Sequence, residues 1–328
     1  MTLHRFVLAT CILAFVVIVL GAYTRLTDAG LGCPDWPGCY GELIVPPSEE
    51  HVTQKHYLEQ RALEPEKGWM EMIHRYFAGA LGLFILAIAI WSWKRRKQYP
   101  EQPIWLPTAL LGLVIFQAAL GMWTVTLLLK PVVVMAHLLG GFATLSLLVL
   151  LALRTAPRSA AATPKVSRWR KAGMVGLFIL VAQIALGGWT STNYAALSCL
   201  DFPTCQGSWV PEMDFDEAFV MWRGLGVNYE YGVLEHPART AIHVTHRIGA
   251  LVTVLYLGWL IFTLLRAGKG LTGAALLIGG LLTVQVALGI GNVVLHLPLG
   301  VATAHNGVAA LLLLSLVYLN YRLWRQPH

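Results

Sequence analysis

Long apolar runs alternate with polar breaks along the chain, and the runs share one length class. Mostly apolar stretches cover roughly 6–23, 69–93, 104–126, 132–153, 172–192, 240–265, 271–293 and 300–321. About 20 such residues carry a helix across the hydrocarbon core of a bilayer. The pattern predicts eight transmembrane helices in an all-α polytopic membrane protein. The breaks are short except at about 24–68 and 193–239, which hold most of the acidic residues and many of the Trp and Pro residues. These two connections are expected to form lids of short amphipathic segments over the bundle.

The polar residues within this pattern repeat. Gly21 to Cys39 reads GAYTRLTDAGLGCPDWPGC, and Gly187 to Cys205 reads GGWTSTNYAALSCLDFPTC. Each half then has an HR dipeptide (His74-Arg75, His246-Arg247), a glutamine run (Gln117 to Gly121, Gln285 to Gly289) and an AH dipeptide (Ala136-His137, Ala304-His305). The offsets are 166, 172, 168 and 168 residues, so the register survives small differences in loop length. Internal similarity of this kind predicts two pseudo-symmetric four-helix bundles related by an axis along the membrane normal. The expected units are 1–153 and 172–328, joined by a basic linker at 154–171 that is rich in Ala, Pro and Ser.

Composition agrees with this reading. Of 328 residues, 56% are hydrophobic and 12% charged, against about 25% charged in soluble domains. That excludes a soluble enzyme, a secreted disulfide scaffold and a disordered chain. The net charge of +7 is a topology signal. Arg5, Lys94, Arg95, Arg96, Lys97, Arg154, Arg158, Lys165, Arg168, Arg170, Lys171, Arg266, Lys269, Arg322 and Arg325 all fall on the side of the termini, where Glu101 is the only one of the 17 acidic residues. Basic flanks stay cytoplasmic, so both termini are expected inside and the long loops outside. Nothing points to nucleic acid. The first span runs straight into Tyr23-Thr24-Arg25 without a small-residue cleavage site, and is expected to be a retained helix. Gly268, Gly270 and Gly273 satisfy a GxGxxG pattern, but no strand precedes them and the dinucleotide reading fails.

Ionisable residues inside a membrane mark function by default. His74, His137, His246 and His305 each lie about five to seven residues into a span that starts at the outer face, which puts all four imidazoles in one layer roughly 8–10 Å deep. A flat macrocycle with two axial imidazoles needs ligands from opposite sides. His74 with His137, and His246 with His305, can supply them within four-helix bundles, a common setting for haem. Gly79, Gly140, Gly141, Gly249 and Gly307 would leave room for a flat ligand, or serve close helix packing. Zinc is the weaker reading, since no carboxylate or thiolate clusters with the histidines at suitable spacing.

The halves differ where chemistry is expected. Glu71-Met-Ile-His74-Arg75 corresponds to His243-Val-Thr-His246-Arg247. Glu71 is three residues before His74 and shares its face. It is a candidate for moving protons or polarising a reacting centre, and a plain Glu71–Arg75 pair at the helix start is the alternative. His243 is read as a neighbour of a ligand or a surface residue. Arg75 and Arg247 are candidate contacts for haem propionates, or helix-end anchors.

Of the five cysteines, Cys11 lies inside the first span. Cys33/Cys39 and Cys199/Cys205 lie in the outer loops with matching six-residue separations, suggesting one disulfide per loop in an oxidising compartment. Two roles stay open, a staple for the lid and a dithiol relay near haem.

Together, the eight spans, GAYTRLTDAGLGCPDWPGC, Glu71-Met-Ile-His74-Arg75, Ala136-His137, His246-Arg247 and Ala304-His305 closely resemble the haem A synthase family of bacterial and mitochondrial membranes. The resemblance covers essentially the whole chain. It implies an oxidoreductase of the bacterial cytoplasmic (inner) membrane that converts haem O to haem A. A porphyrin methyl would pass through a hydroxymethyl stage to a formyl group, and the product would serve haem-copper oxidases. It further implies that His74 and His137 flank the substrate haem, that His246 and His305 hold a resident haem b, and that Glu71 is catalytic. Haem O synthase, an electron donor or acceptor, and further copies of the chain are the expected partners. The competing class is a bis-histidine di-haem cytochrome that only transfers electrons. Its weakness is that all four histidines lie near one face, and Glu71 has no task in it. A transporter, the third class, would call for broken helices and midplane charge that the chain does not show.

Overall fold

The computed structural model describes residues 2–157, 167–268 and 270–324. Eight helices are long and apolar enough to span a membrane: α1 (Leu3–Leu26), α2 (Pro65–Arg95), α3 (Trp105–Thr126), α4 (Pro131–Thr155), α5 (Arg170–Thr192), α6 (His236–Ala267), α7 (Thr272–Val294) and α8 (Leu299–Trp324). No strand occurs among the described residues. Much of the expected linker lies outside them, with Arg158 and Lys165, as do Lys269 and Arg325.

Local sequence explains where the helices begin. Pro65 and Pro131 open α2 and α4, Pro237 sits in the first turn of α6, and Pro298 immediately precedes α8. Proline is preset for the first helical turn, where no N–H partner is needed. It lets α2 and α6 start about one turn earlier than the apolar runs imply. His74 thus stands nine residues after Pro65, and His246 ten after His236.

Packing within each half follows one scheme. α1 packs on α2 and α4, and α3 on α2 and α4; likewise α5 packs on α6 and α8, and α7 on α6 and α8. The halves meet through α1 against α8, α4 against α5, and α4 against α8. Only groups beside a two-fold axis can touch their own repeat counterparts. Arg25 Nη2 donates to the Ser191 carbonyl at 2.6 Å, 166 positions on. Tyr321 Oη donates to the Leu153 carbonyl at 3.0 Å, 168 positions back. The first contact is at the end of the bundle bearing the long loops and the second at the opposite end, an arrangement compatible with an axis along the helices.

One apolar core fills the bundle around this axis, with Leu148, Leu151, Leu257, Leu260, Leu316 and Leu319 fully buried. Outward-facing Ile12, Leu83, Phe178 and Leu255 stay exposed. An apolar girdle of this extent is stable only against lipid.

The long loops pack differently. The first folds over its own half, where Tyr40, Val45 and Val52 bury against Met72 of α2. Burial pushes the Tyr40 phenol up to about 12, and its hydroxyl donates to the Ala62 carbonyl at 2.9 Å. The second loop packs on its own half up to Ala218 and then crosses to the other. Its Tyr229 N–H donates to Leu128 O at 3.0 Å, and Tyr229 buries with Leu31, Val125 and Leu129. Lys130, almost fully buried, donates to the Gly224 carbonyl and lies 3.2 Å over the Trp222 ring, a desolvated cation–π contact. Glu230 receives both Arg61 Nη1 and Nη2 at 2.9 Å, and these bonds hold the guanidinium charged above the ordinary arginine range. Such two-pronged pairs fix geometry as well as energy.

This strap should open when its ion pair is cut. Glu230→Ala leaves the largely buried Arg61 guanidinium with only the exposed Glu64 carboxylate at 3.1 Å as a charged partner, a loss on the order of 2 kcal/mol of local stability. Limited proteolysis within 219–234 should then run roughly tenfold faster or more, with Glu230→Asp intermediate. An unchanged cleavage rate would show that the pair does not hold the strap.

Candidate functional site

The four histidines stand on α2, α4, α6 and α8, the helices whose N-termini lie at the loop end. His74 and His137 face each other with ring centroids 6.4 Å apart and planes at 87°. Two imidazoles sharing one metal through bonds of about 2 Å each put their ring centres roughly 6 Å apart. The Nδ1 atoms of His74, His137 and His305 are buried without a hydrogen-bond partner. Unsatisfied ring nitrogens in hydrocarbon are costly unless something else binds the ring. Paired imidazole donors of this kind suit axial ligation of haem iron. Among the described residues no three His, Cys, Asp or Glu side chains gather to hold a bare metal ion.

Each ring is seated against a glycine of the preceding helix. A Cβ at Gly21 would come within 2.9 Å of His74 Cε1, and one at Gly187 within 3.1 Å of His246 Cε1. Gly121 and Gly289 stand in the same relation to His137 and His305, at 3.5 and 3.1 Å. These are the glycines the helices need here. Those singled out from sequence do other work: Gly140 and Gly249 are covered by the side chains of Gln117 and Gln183, Gly307 lies near Phe15 and Val19, Gly141 near Ile18, and Gly79 faces open space.

Glu71 is buried, and its carboxylate is held on both oxygens. Oε1 pairs with Arg75 Nη2 at 2.5 Å, and Oε2 accepts from the Cys33 N–H at 2.9 Å. The helix-start ion pair therefore exists, but beneath the loop and out of water. His243, at the matching place, is also buried, and its Nδ1 donates to the Ala195 carbonyl at 2.9 Å.

The two cysteine loops are built alike. Cys33 is bonded to Cys39, and Cys199 to Cys205, with all four sulfurs on buried residues. Each hairpin turns through Tyr40-Gly41 or Gln206-Gly207, all at positive φ, the mirror-image turn for which glycine is the natural second residue. Asp35 accepts the N–H groups of Tyr40 and Gly41 at 2.6 and 3.0 Å, and Asp201 those of Gln206 and Gly207 at 2.6 and 3.1 Å. The Thr204 hydroxyl and these N–H groups hold the Asp201 carboxyl below its ordinary range. Arg75 Nη1 donates to the Asp35 and Gly38 carbonyls at 3.0 and 2.5 Å, and Arg247 to those of Asp201 and Thr204 at 2.9 and 2.7 Å. Both guanidiniums are thus engaged with loop carbonyls, and Arg247 Nε keeps no partner.

Sequence reasoning passed over Gln183. Its Nε2 reaches His246 Nδ1 and the His246 carbonyl, both at 3.0 Å. A lone amide inside an apolar span, with Val17 one repeat earlier, was the available signal. Gln285, noted only as a repeat marker, has its Nε2 3.2 Å from His305 Nε2.

A family model described as cytochrome oxidase assembly protein (COX15-CtaA) matches residues 4–317. The chain belongs to this family. A protein of Shewanella oneidensis named "Heme A synthase" is 50% identical over 319 residues, 97% of this chain and 95% of that one. Proteins of the same name from Shouchella clausii and Chelativorans sp. are each 29% identical, across 96% and 91% of this chain and 93% and 84% of theirs.

Buried sulfurs, a hairpin fixed by aspartate and a docking arginine surround the first disulfide, whose Cys33 N–H reaches Glu71, and the staple reading has a direct test. Replacing Cys33 and Cys39 by serine should cost on the order of 2 kcal/mol of stability, read as a lower melting temperature. Activity per folded molecule should fall much less. A normal melting temperature with turnover lost would assign the pair to electron transfer.

Proposed function

We propose that the chain is a haem A synthase, a multi-pass inner-membrane oxidoreductase that converts haem O to haem A. The observation that carries this reading is its similarity, over nearly the full length of both chains, to a Shewanella oneidensis protein of that name at 50% identity. The product serves assembly of cytochrome oxidase, in keeping with the family's description.

The division of labour follows the two halves, residues 1–153 and 172–328. The substrate haem sits in the first, between His74 and His137, whose 6.4 Å ring separation suits iron between them. The second pair, His246 and His305, holds a resident haem b, which when bound supplies one-electron transfer. His246 has its Nδ1 tied to Gln183, leaving Nε2 as its ligating atom.

Oxidising a methyl group to hydroxymethyl and then formyl adds one oxygen atom at the carbon beside the macrocycle and, with oxygen taken at the level of water, releases protons to a base and electrons to an external acceptor. Glu71, the buried carboxylate among the described residues, is the group to take those protons or to stabilise positive charge developing there. Arg75 and the Cys33 N–H fix its direction. The disulfide loop thereby positions the carboxylate and keeps water from it. His243 offers no carboxylate at the matching place, which restricts this chemistry to one half. The basic helix ends face the cytoplasm with both termini, and the long loops lie on the periplasmic side.

Extraction of the purified protein's haems, with mass and pyridine-haemochrome spectra, tests the assignment. Haem b together with haem O, its hydroxylated form or haem A is expected. Haem b alone at two per chain would make the protein an electron-transfer cytochrome.

Two sets of variants test the residue roles. Glu71→Gln should keep both haems and lose formyl product by at least a hundredfold; normal conversion would remove Glu71 from the mechanism. His246→Ala or His305→Ala should lose the low-spin haem b spectrum while the first pair still binds haem. Spectra identical to the parent would refute the second site.

A further inference from the structure

The two histidine pairs share a scaffold but not their surroundings, and the differences fall around the ring nitrogens. On α5, Gln183 Nε2 lies 3.0 Å from both His246 Nδ1 and the His246 carbonyl oxygen. Its counterpart on α1, 166 residues earlier, is Val17, which has no polar side chain to offer His74. Gln183 fits because Gly249 faces it; a Cβ there would collide with the amide oxygen. The residue 172 positions before Gly249 is Phe77. Both members of the Gln183/Gly249 pair are therefore replaced together in the first half.

The second glutamine pair also differs between the halves, at Nε2 of His305 and not at Nδ1. Gln117 and Gln285 are counterparts, yet Gln117 lies over Gly140 while Gln285 meets the His305 ring. Where Gly140 leaves room, the second half has Val308, 168 positions on, so the amide turns to the histidine. Each second-half imidazole has an amide on one ring nitrogen. Neither first-half imidazole has a side-chain amide on a ring nitrogen: His74 has the Val17 backbone near it instead. The His305 Nδ1 is buried without a side-chain partner like those of His74 and His137, so the amide on Nδ1 is a feature of His246.

We propose that Gln183 is a positioning residue that locks His246 as a permanent haem ligand, and that its absence at Val17 keeps the first site exchangeable. This rests on the assignment of a resident haem to the second half. Ligation through Nε2 leaves the imidazole proton on Nδ1, which then needs an acceptor. The Gln183 carboxamide is beside it, its Oε1 otherwise unpartnered, and a turn about the terminal torsion presents that oxygen in exchange for the Nε2 bond to the His246 carbonyl. A hydrogen-bonded Nδ1–H fixes the tautomer and ring orientation and raises the basicity of the ligating nitrogen. A site that must admit substrate and release product gains from lacking that hold, whereas a resident electron carrier gains from having it.

The test uses the full-length protein in detergent with Gln183→Leu, which keeps the side-chain volume, and Gln183→Glu, which keeps an acceptor. Haem b loss is followed as transfer to excess apomyoglobin, alongside the haem b midpoint potential. Gln183→Leu should lose haem b roughly ten- to a hundredfold faster and shift its potential upward. Gln183→Glu should restore slow loss and shift the potential below that of Gln183→Leu. An unchanged transfer rate and potential in Gln183→Leu would overturn the proposal. So would a lower melting temperature with both haem readouts unmoved, because that would make Gln183 a helix-to-helix tie. His246→Ala run in parallel separates the two readings: retention of haem b there would fail the site assignment itself, independently of Gln183.

Discussion

Imidazole nitrogens buried in hydrocarbon set the terms for the rest of this structure. A ring nitrogen in an apolar bundle has no water to satisfy it, so each must find a protein partner or a ligand. Four such rings stand on α2, α4, α6 and α8, and the surrounding features seat or cover them. Glycines on α1, α3, α5 and α7 admit the rings. The proline-led helix starts carry α2 and α6 up into the loop layer. The disulfide loops, pinned by Arg75 and Arg247, roof the two pockets. Without that roof the Glu71 carboxylate would lie in water, where its field would be screened and its direction free.

The two halves share one packing scheme, and they differ at a few side chains beside the histidines. Contacts between exact repeat mates, Arg25 with Ser191 and Tyr321 with Leu153, show how closely the halves keep to one axis. The cysteine loops match down to their aspartate-held turns. Against that background few substitutions are needed to separate two sites: a carboxylate for an imidazole at Glu71/His243, and an apolar for an amide side chain at Val17/Gln183. Neither changes a helix boundary. The cost of making two sites different is small because the shared packing is left alone.

Much of this was legible in the sequence because hydrocarbon permits few solutions. Eight apolar runs of spanning length leave little choice of fold, and polar residues recurring at 166–172 positions reveal the repeat. The histidines and Glu71 stood out as ionisable groups among apolar ones. The glycines did not sort themselves, since a glycine that seats a ring and one that admits a glutamine look the same in a string of letters. Gly21 and Gly187 were visible only as repeat markers, while Gly140 and Gly249 seemed to be the ones making room. The arginines were equally ambiguous. A guanidinium beside a haem-binding histidine suits a propionate, and only the fold shows Asp35, Gly38, Asp201 and Thr204 carbonyls closing around the two side chains.

The loops were the least legible part, because nothing in their composition says which half they cover. The first stays at home and delivers the Cys33 N–H to Glu71. The second keeps its cysteine hairpin on Arg247 of its own half and sends only its later part onto the first, held at Arg61, Leu128 and Lys130. The covering is therefore unequal where the helices are alike. The α4–α5 junction is closed by Trp189, whose indole N–H donates to Ala218 at 2.9 Å and whose ring packs on Val132 and Met135. Its symmetry mate at α1–α8, with Tyr23 in place of Trp189, is a groove of about 550 Å³ bordered by Phe15, Val19, Thr303 and Gly307. The two junctions therefore differ because Trp189 and the loop residue it bonds fill one of them, while Tyr23 leaves the other as a groove.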